Sequence, residues 1–297
     1  MNGAKPSFLI ITAISAFTVN AQQPTSSDQP RAMVCIQEKC SFVDTAGNRV
    51  YALDFERARG FSEGMAAVQL NGHWGFIDKT GAPKIAPRFD SVGNFSEGLA
   101  TVMVAKRYGF VDPSGRVVIE PQFRDAGAFS EGLSPVRIGE MYGYIDTSGT
   151  VRIALKFDTA TLFEEGFAAV SHNGKTQYID TAGNPLRTVE LGNGAGRFSD
   201  GLASVHIGDK WGYIDASGNL AIKAEFDGAV DFSEGVAVVG RDQHYWIIDR
   251  SGKAVTRSRY LNSIGCQGFK FSEGLLSGAA RQRVRVHRPL RQSRYSS

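Results

Sequence analysis

The chain has 297 residues, a formal net charge of +3 and 42% hydrophobic residues, enough apolar material for one or two ordinary domains. The last 17 residues hold six arginines and no acid, so removing those six charges leaves −3 on the rest of the chain. A slightly acidic body of this kind has no electrostatic footprint for nucleic acid, and no nucleic-acid partner is predicted.

The N-terminus has the pattern of a secretory signal peptide over residues 1–21. Lys5 supplies a positive charge, residues 7–19 form an apolar run, and residues 19–21 (Val-Asn-Ala) offer small side chains for cleavage. An uncleaved anchor is the alternative, although the apolar run is short for a bilayer span. No apolar run of 18 residues follows, so no membrane span is predicted after removal of the signal, and the mature protein is expected to be secreted or periplasmic.

Residues 22–38 begin with a stretch rich in Gln, Ser and Pro and are predicted to be a flexible lead-in. In an oxidising compartment, Cys35 and Cys40 are expected to close a small loop by a disulfide, and a clasp between Cys35 and Cys266 is the alternative. None of the five histidines lies near these thiols in the sequence, so neither a metal site nor a cofactor is predicted.

An aspartate, two further residues and a glycine recur seven times, at a spacing of 34 residues with one step of 35. The aspartates of this repeat are Asp44, Asp78, Asp112, Asp146, Asp180, Asp215 and Asp249. Self-similarity at a fixed period predicts an array of small structural units, each too small to bury a core alone. The array is predicted to span residues 39–277.

Two turns define each unit. Asn71-Gly72, between two apolar segments, predicts a type I′ hairpin, because both central residues of that turn need positive φ. In the following Asp-x-x-Gly element, the aspartate is expected to accept the N–H two residues on, and the glycine to take the left-handed conformation of a three-residue loop. Ala105-Lys106 is the weakest of the first turns, since neither residue favours positive φ. Each unit is therefore predicted to be a three-stranded antiparallel meander.

A connector of about a dozen residues follows the third strand and ends in Phe-Ser-Glu-Gly or a close variant. We expect its phenylalanine to be buried between neighbouring units. The repeated glutamates suggest either paired catalytic carboxylates or acceptors for backbone N–H groups. Because a catalytic pair is normally unique within a chain, copying of the glutamate with every unit favours the structural role.

The predicted fold class is all-β: a tandem repeat of about seven three-stranded antiparallel meanders, as an open solenoid-like array or a propeller-like ring. The array is expected to begin with the second and third strands of a unit, at residues 41–53, so that a first strand after Gly274 would complete a shared sheet in a ring. Phe76 and Ile77 are expected to face opposite sides of their sheet, as are their equivalents. Residues 278–297 are predicted to be an Arg-rich disordered tail, or the product of a shifted or truncated reading frame.

The strand before each aspartate carries a family likeness. Residues 74–78, 108–112, 142–146 and 211–215 read Trp or Tyr, Gly, Phe or Tyr, an aliphatic residue and Asp, and they resemble bacterial WG repeats over about residues 40–277. Residues 176–178 and 245–246 depart from the motif. The resemblance implies a repeat scaffold with a binding role and no catalytic residues to transfer.

The leading functional hypothesis is a non-catalytic secreted or envelope scaffold that binds a protein or a cell-envelope glycan. The candidate ligand-binding residues are Trp74, Tyr108, Tyr142 and Trp211, which could stack on sugars if exposed, although packing is the commoner role of such residues. No enzyme is predicted, because the chain lacks the G-x-S-x-G, H-E-x-x-H and Walker motifs. An envelope hydrolase acting on glycan or peptide, or a truncated non-functional copy, is the alternative.

Overall fold

The computed structural model describes residues 32–36, 39–44, 46–51, 54–186, 191–192, 194–242 and 244–258, and beyond these only short strands at 270–272, 275–277 and 284–285. The predicted signal peptide, residues 1–21, and Cys266 lie outside the described residues. Within the described part, all regular structure is β-strand, and no helix is long and apolar enough to cross a membrane. The predicted all-β fold class is confirmed.

The described strands form eight small antiparallel sheets, each built from strands that are consecutive in the chain. The first four sheets contain β1 (Ala32–Ile36) and β2 (Lys39–Val43); β3 (Arg57–Ala58), β4 (Met65–Leu70), β5 (His73–Asp78) and β6 (Pro83–Phe89); β7 (Ser91–Val92), β8 (Ala100–Val104), β9 (Arg107–Val111) and β10 (Val117–Phe123); and β11 (Asp125–Ala126), β12 (Leu133–Ile138), β13 (Met141–Asp146) and β14 (Val151–Phe157).

The last four sheets continue the same plan. They contain β15 (Thr159–Ala160), β16 (Phe167–His172) and β17 (Lys175–Asp180); β18 (Ala195–Ser199), β19 (Leu202–Ile207), β20 (Lys210–Asp215) and β21 (Leu220–Phe226); β22 (Gly228–Ala229), β23 (Val236–Arg241), β24 (His244–Asp249) and β25 (Ala254–Ser258); and β26 (Lys270–Ser272), β27 (Leu275–Ser277) and β28 (Val284–Arg285). We number these sheets 1 to 8 in chain order.

Most sheets have one strand more than the predicted meander of three. The connector contributes a short first strand, as where Ser91 and Val92 of β7 pair with Met103 and Val102 of β8. Sequence periodicity did not reveal this strand, because two residues are too few to show an alternating pattern. The connector is therefore part of the sheet that follows it.

The beginning of the array differs from the prediction. The segment 22–38, expected to be a flexible lead-in, contains β1. This strand pairs with β2 as the long strand β4 pairs with β5 in sheet 2. Bridges from Cys40 to Phe55 and from Val43 to Arg49 supply the third-strand contacts of this sheet. The strand was missed because the sequence between β1 and β2 contains neither Gly nor Asn as a turn signal.

Sheet 1 therefore contains its own first long strand, and that strand does not come from the C-terminal end of the chain. Among the described strands, none of sheet 1 pairs with one of sheet 8, and the array is open. Sheet 8 likewise has its own pairing, of β27 with β28. Because β28 falls within residues 278–297, the segment expected to be a disordered tail contains at least this strand.

Neighbouring sheets pack face to face through alternating side chains. In sheet 2, Phe76 packs with residues of sheet 3 such as Val102, whereas Ile77 packs with Phe42 of sheet 1. The same division separates Phe110 from Val111 in the next sheet. The predicted alternation is confirmed, and each interior sheet contributes one face to the core before it and the other to the core after it.

The phenylalanine of each connector fills the space between two sheets, as predicted. Phe95 is 1% exposed, and its ring centroid lies 4.8 Å from that of Phe76 in a T-shaped contact. Equivalent contacts join the ring pairs Phe129 and Phe110, Phe163 and Tyr144, Phe198 and Tyr178, and Phe232 and Tyr213. These offset aromatic pairs stabilise each junction beyond the area that they bury.

A glycine follows the Trp or Tyr that opens residues 74–78, 108–112, 142–146 and 211–215, and close approach of third-strand backbone requires it. A Cβ atom on Gly109 would lie 2.5 Å from the carbonyl oxygen of Ile119 and 2.6 Å from the nitrogen of Pro121. The third strand bulges here, because Tyr108 pairs with Phe123 and Phe110 with Ile119, so that four steps on β10 match two on β9. A Cβ atom on Gly75, Gly143 or Gly212 would likewise lie 2.4–2.7 Å from backbone atoms of the third strand.

Sheets 1, 5 and 7 lack this glycine and have Ser41, Gln177 and Trp246 in its place. In sheet 5, where Gln177 replaces it, the described residues show no third strand and only a bridge from Ile179 to Pro185. In sheet 7, Trp246 replaces it, and β25 pairs residue by residue, with Arg257 opposite Trp246 and Thr256 opposite Ile247. Sheet 1 keeps the spacing of the bulged sheets, with Cys40 opposite Phe55, so among the described sheets the changed pairing goes with Trp246 in sheet 7.

We predict that Gly109→Ala lowers the free energy of unfolding by about 2 kcal/mol, because the added methyl group forces β10 away from β9. Urea denaturation followed by circular dichroism measures this change. Gly60→Ala is the matched control, since a Cβ at Gly60 has no atom within 4 Å. Equal stability of the two variants would contradict the close-contact explanation.

Candidate functional site

The Asp-x-x-Gly turns are closed by their own aspartates. In sheet 2, Oδ1 of Asp78 accepts the backbone N–H groups of Thr80 at 2.8 Å and Ala82 at 3.1 Å. Gly81 has a φ of 80°, the left-handed conformation predicted for it. The other six aspartates accept the equivalent pairs of N–H groups. The predicted turn chemistry is confirmed in all seven copies.

Hydrogen bonding shifts the pKa of these carboxyl groups. The hydroxyl of Ser114 donates to Asp112, Arg116 pairs with it, and together they lower its pKa from 3.8 to about 2. The hydroxyl of Ser148 is the main cause of the same shift, to about 2, in the pKa of Asp146. Donors that bind the ionised form account for both shifts.

The glutamate of each Phe-Ser-Glu-Gly element reaches across to the next sheet. The carboxylate of Glu63 accepts the N–H groups of Glu97 at 2.7 Å and Gly98 at 2.9 Å, 34 and 35 residues further on. Glu97, Glu131, Glu165 and Asp200 make the corresponding contacts with Gly132, Gly166, Gly201 and Gly235. We call this row of contacts the carboxylate ladder.

The serine and the backbone of this element support the ladder. Oγ of Ser62 donates to the carbonyl of Phe95 at 2.7 Å. In the next two units, Ser96 donates to the carbonyl of Phe129 and Ser130 to that of Phe163. Glu97 lies at a φ of 54°, which is uncommon for a residue with a side chain. The left-handed turn exposes the next amide groups to the carboxylate. The repeated acids accept backbone N–H groups, as predicted, and the structure places those groups in the next unit.

The four candidate aromatic residues lie at the beginning of the second long strand of their sheets, and all four take part in core packing. Trp74 is 8% exposed and belongs to the core between sheets 2 and 3. Tyr108, Tyr142 and Trp211 are half-buried against the cores that follow their sheets. The array places them one per sheet along a single edge and does not bring them together in one cavity.

Neighbouring polar side chains cover parts of these rings. The guanidinium of Arg59 lies 5.3 Å from the ring centroid of Trp74. The hydroxyl of Tyr142 donates to Asp125 at 2.6 Å, and the ring of His206 lies 5.1 Å from that of Trp211. A sugar that stacked on Trp74 would have to displace the arginine, so these contacts are those of packed residues.

The structure joins Cys35 and Cys40, which lie directly opposite each other on β1 and β2, by a disulfide. Cys40 occupies the place that Trp74 has in the next sheet, and the bond links the first two strands of sheet 1. Across the described residues, no group of three or more His, Cys, Asp or Glu side chains is placed to hold a metal ion.

The first hairpin turns form the edge of the array opposite the ladder. Asn71 and Gly72 have φ values of 51° and 77°, as a type I′ turn requires. We call the two residues that flank each of these turns the hairpin tip. The tips of sheets 2 to 7 are Leu70 and His73, Val104 and Arg107, Ile138 and Met141, His172 and Lys175, Ile207 and Lys210, and Arg241 and His244. Sequence reasoning did not single out these residues, because they share no motif.

Comparisons with known proteins agree with this repeat architecture. The family model described as WG containing repeat matches residues 41–73, 74–107, 108–142, 142–175 and 211–243, more than half of the chain. No curated protein sequence matches the chain.

Two solved structures are similar in fold. A crystal structure of the computationally designed Ika8 protein has a TM-score of 0.51 and 10% identity, covering 84% of this chain and 92% of that chain. A crystal structure of the eukaryotic initiation factor has a TM-score of 0.54 and 14% identity, covering 76% of this chain and 72% of that chain. At such identities the likeness concerns the fold alone, and these neighbours are β-propeller-like proteins.

We predict that Glu131→Ala lowers the free energy of unfolding by about 1 kcal/mol, because the amide of Gly166 loses a charged acceptor 3.0 Å away. Glu131→Gln, which keeps a side-chain oxygen, should cost less than half of that, and urea denaturation measures both. Glu140→Ala is the control, because its ion pairs to Arg124 and Arg137 lie at the surface. A larger loss in the control would contradict a role for the ladder.

We predict an acid-sensitive contribution from Asp112 to stability. Because folding lowers its pKa from 3.8 to about 2, the contribution is complete above pH 4 and is lost as the pH falls toward 2. Asp112→Asn should flatten the decrease in urea midpoint between pH 4 and pH 2, and a double variant with Asp146→Asn should flatten it further. An unchanged pH profile in the double variant would show that these turns do not contribute.

Proposed function

The chain belongs to the WG containing repeat family, and from that premise we propose that it is a non-catalytic scaffold that binds a partner outside the cytoplasm. In this proposal the protein is secreted or periplasmic, and its partner is a protein or a cell-envelope glycan. The array presents a row of binding positions at regular spacing, as repeat proteins commonly do.

The observation that carries the proposal is the contrast between the two edges of the array. At one edge, the aspartate turns and the carboxylate ladder repeat the same side chains with the same backbone partners in successive sheets. At the other edge, the hairpin tips keep the same cross-strand pairing but vary from aliphatic to basic side chains. A constant frame with variable tips is the arrangement expected of a recognition surface.

The repeated carboxylates support a non-catalytic role. Asp78 and its equivalents hold their own turns, and Glu63 and its equivalents hold the amides of the next sheet. A general acid or base must be able to reach substrate and exchange a proton with it. Carboxylates that already accept two backbone N–H groups are poorly suited to that task.

Two features support export. Residues 1–21 have the composition of a signal peptide. The disulfide between Cys35 and Cys40 persists only in an oxidising compartment.

Site-specific photo-cross-linking in the producing cell tests the proposal. A photoreactive amino acid is placed at a tip residue, His73 or Lys175, and in matched variants at Lys79 or Arg116 on the aspartate-turn edge. We expect the tip variants to cross-link one and the same partner and the turn variants to cross-link none. Equal labelling from both edges, or turnover of a glycan or peptide panel by the purified protein, would contradict the proposal.

A further inference from the structure

Each groove between neighbouring sheets is bordered at its tip end by four side chains. Two come from a cross-strand pair on the earlier sheet and two from the hairpin tip of the later sheet. In four of the five grooves between sheets 2 and 7, at least one of the four side chains is basic or a histidine: Arg107, Lys175, Lys210 and His244 are examples. The groove between sheets 3 and 4 is the exception among these described junctions.

That groove is lined by Met103 and Tyr108 of sheet 3 and by Ile138 and Met141 of sheet 4, each pair directly opposite across its hairpin. Leu99, Phe110, Val136 and Ile145 form the core between these two sheets. Met103 and Tyr108 are in phase with Leu99 and Phe110, and Ile138 and Met141 with Val136 and Ile145, so all four face the same junction. We call these four residues the apolar tip groove.

The apolar tip groove is open to solvent. Ile138 is 45% exposed and Met141 is 37% exposed, and Met103 and Tyr108 are half-buried. A surface of clustered large apolar side chains, rimmed by charge, is typical of a protein–protein contact. Methionine also adapts its shape to irregular partners.

Uncompensated positive charge lies beside the groove. Lys106, at the tip of sheet 3, is exposed and forms no ion pair with any described residue, whereas Arg107 is in phase with Val111 and faces the groove between sheets 2 and 3. On the other side, Glu140 is already paired with Arg124 and Arg137. The free charge at the groove is therefore positive, which favours carboxylates on whatever binds there.

The backbone at Lys106 is a second, independent sign of function. Ala105 and Lys106 have φ values of 49° and 62°, although neither is Gly or Asn, and Asp90 holds the turn by accepting the N–H of Ala105 at 2.9 Å. Among the described first turns, the others place Gly, Asn or Asp at the first strained position. Strain of this kind persists where the side chain that it positions is used.

From these observations we propose that the apolar tip groove binds a segment of a partner protein in which apolar side chains are flanked by aspartate or glutamate. The apolar side chains of the segment lie on Ile138, Met141 and Tyr108, and a flanking carboxylate pairs with Lys106. The inference rests on the proposed binding function and names the chemistry of the partner.

A displayed library of random 12-residue peptides, selected on the full-length protein, tests this assignment. We expect enriched peptides to combine apolar residues with Asp or Glu, and their affinity to fall about tenfold or more in the Ile138→Ser/Met141→Ser double variant. A Lys106→Glu variant should weaken binding of the same peptides and reduce the salt dependence of that binding. Retention of affinity in either variant would overturn the proposal.

Val151→Ser/Leu220→Ser is the matched control, because these side chains are also exposed, at 46% and 40%, but lie at the other edge of the array. It should bind the selected peptides as the wild type does, and all three variants should melt close to the wild type. Self-association through the groove, or enrichment of peptides without acidic residues, would contradict the assigned partner. If cross-linking from other tips identifies a partner while the selection yields none, this inference fails and the proposed function stands.

Discussion

Each interior sheet of this protein has two apolar faces, and the rest of the structure depends on covering both. Phe110 and Val111 are adjacent in the chain but belong to different cores, one shared with the next sheet and one with the preceding sheet. A sheet of three or four short strands cannot bury both faces by itself, so stability comes from neighbours. The connector phenylalanines fill the space at each junction, and the carboxylate ladder adds polar bonds that link each unit to the one after it.

Close approach of the third strand is the second constraint, and it explains the glycine that marks the family. At Gly75 the backbone of β6 comes too near for a Cβ atom, and the strand bulges to pass. Where Trp246 occupies the position, β25 pairs with β24 residue by residue at Trp246 and Ile247, and the register shifts only at Ile248. The two inner long strands are unchanged in this copy, because their pairing does not involve the outer strand.

These constraints act unevenly over the surface. The aspartate turns and the ladder use their side chains to satisfy backbone groups, so that edge has little freedom to vary. The hairpin tips need only a turn with positive φ, and their flanking side chains vary from unit to unit. Variation at the tips therefore leaves the packing between sheets intact, and a feature found in one of the described grooves, such as the apolar tip groove, stands out against the repeat.

The sequence by itself determined the all-β class, the repeat period, both kinds of turn, the buried phenylalanines and the alternation of Phe76 and Ile77, because each depends on local turn chemistry or on period-2 patterning. It also predicted that the repeated carboxylates would accept backbone N–H groups. Only the tertiary structure placed those N–H groups in the next unit, revealed the short connector strands and β1, and showed Trp74 covered by Arg59. The ladder contacts and the contact of Arg59 with Trp74 join segments about 15 to 35 residues apart, and local pattern carries no record of such contacts. The connector strands are too short to show an alternating pattern, and β1 is not followed by Gly or Asn as a turn signal.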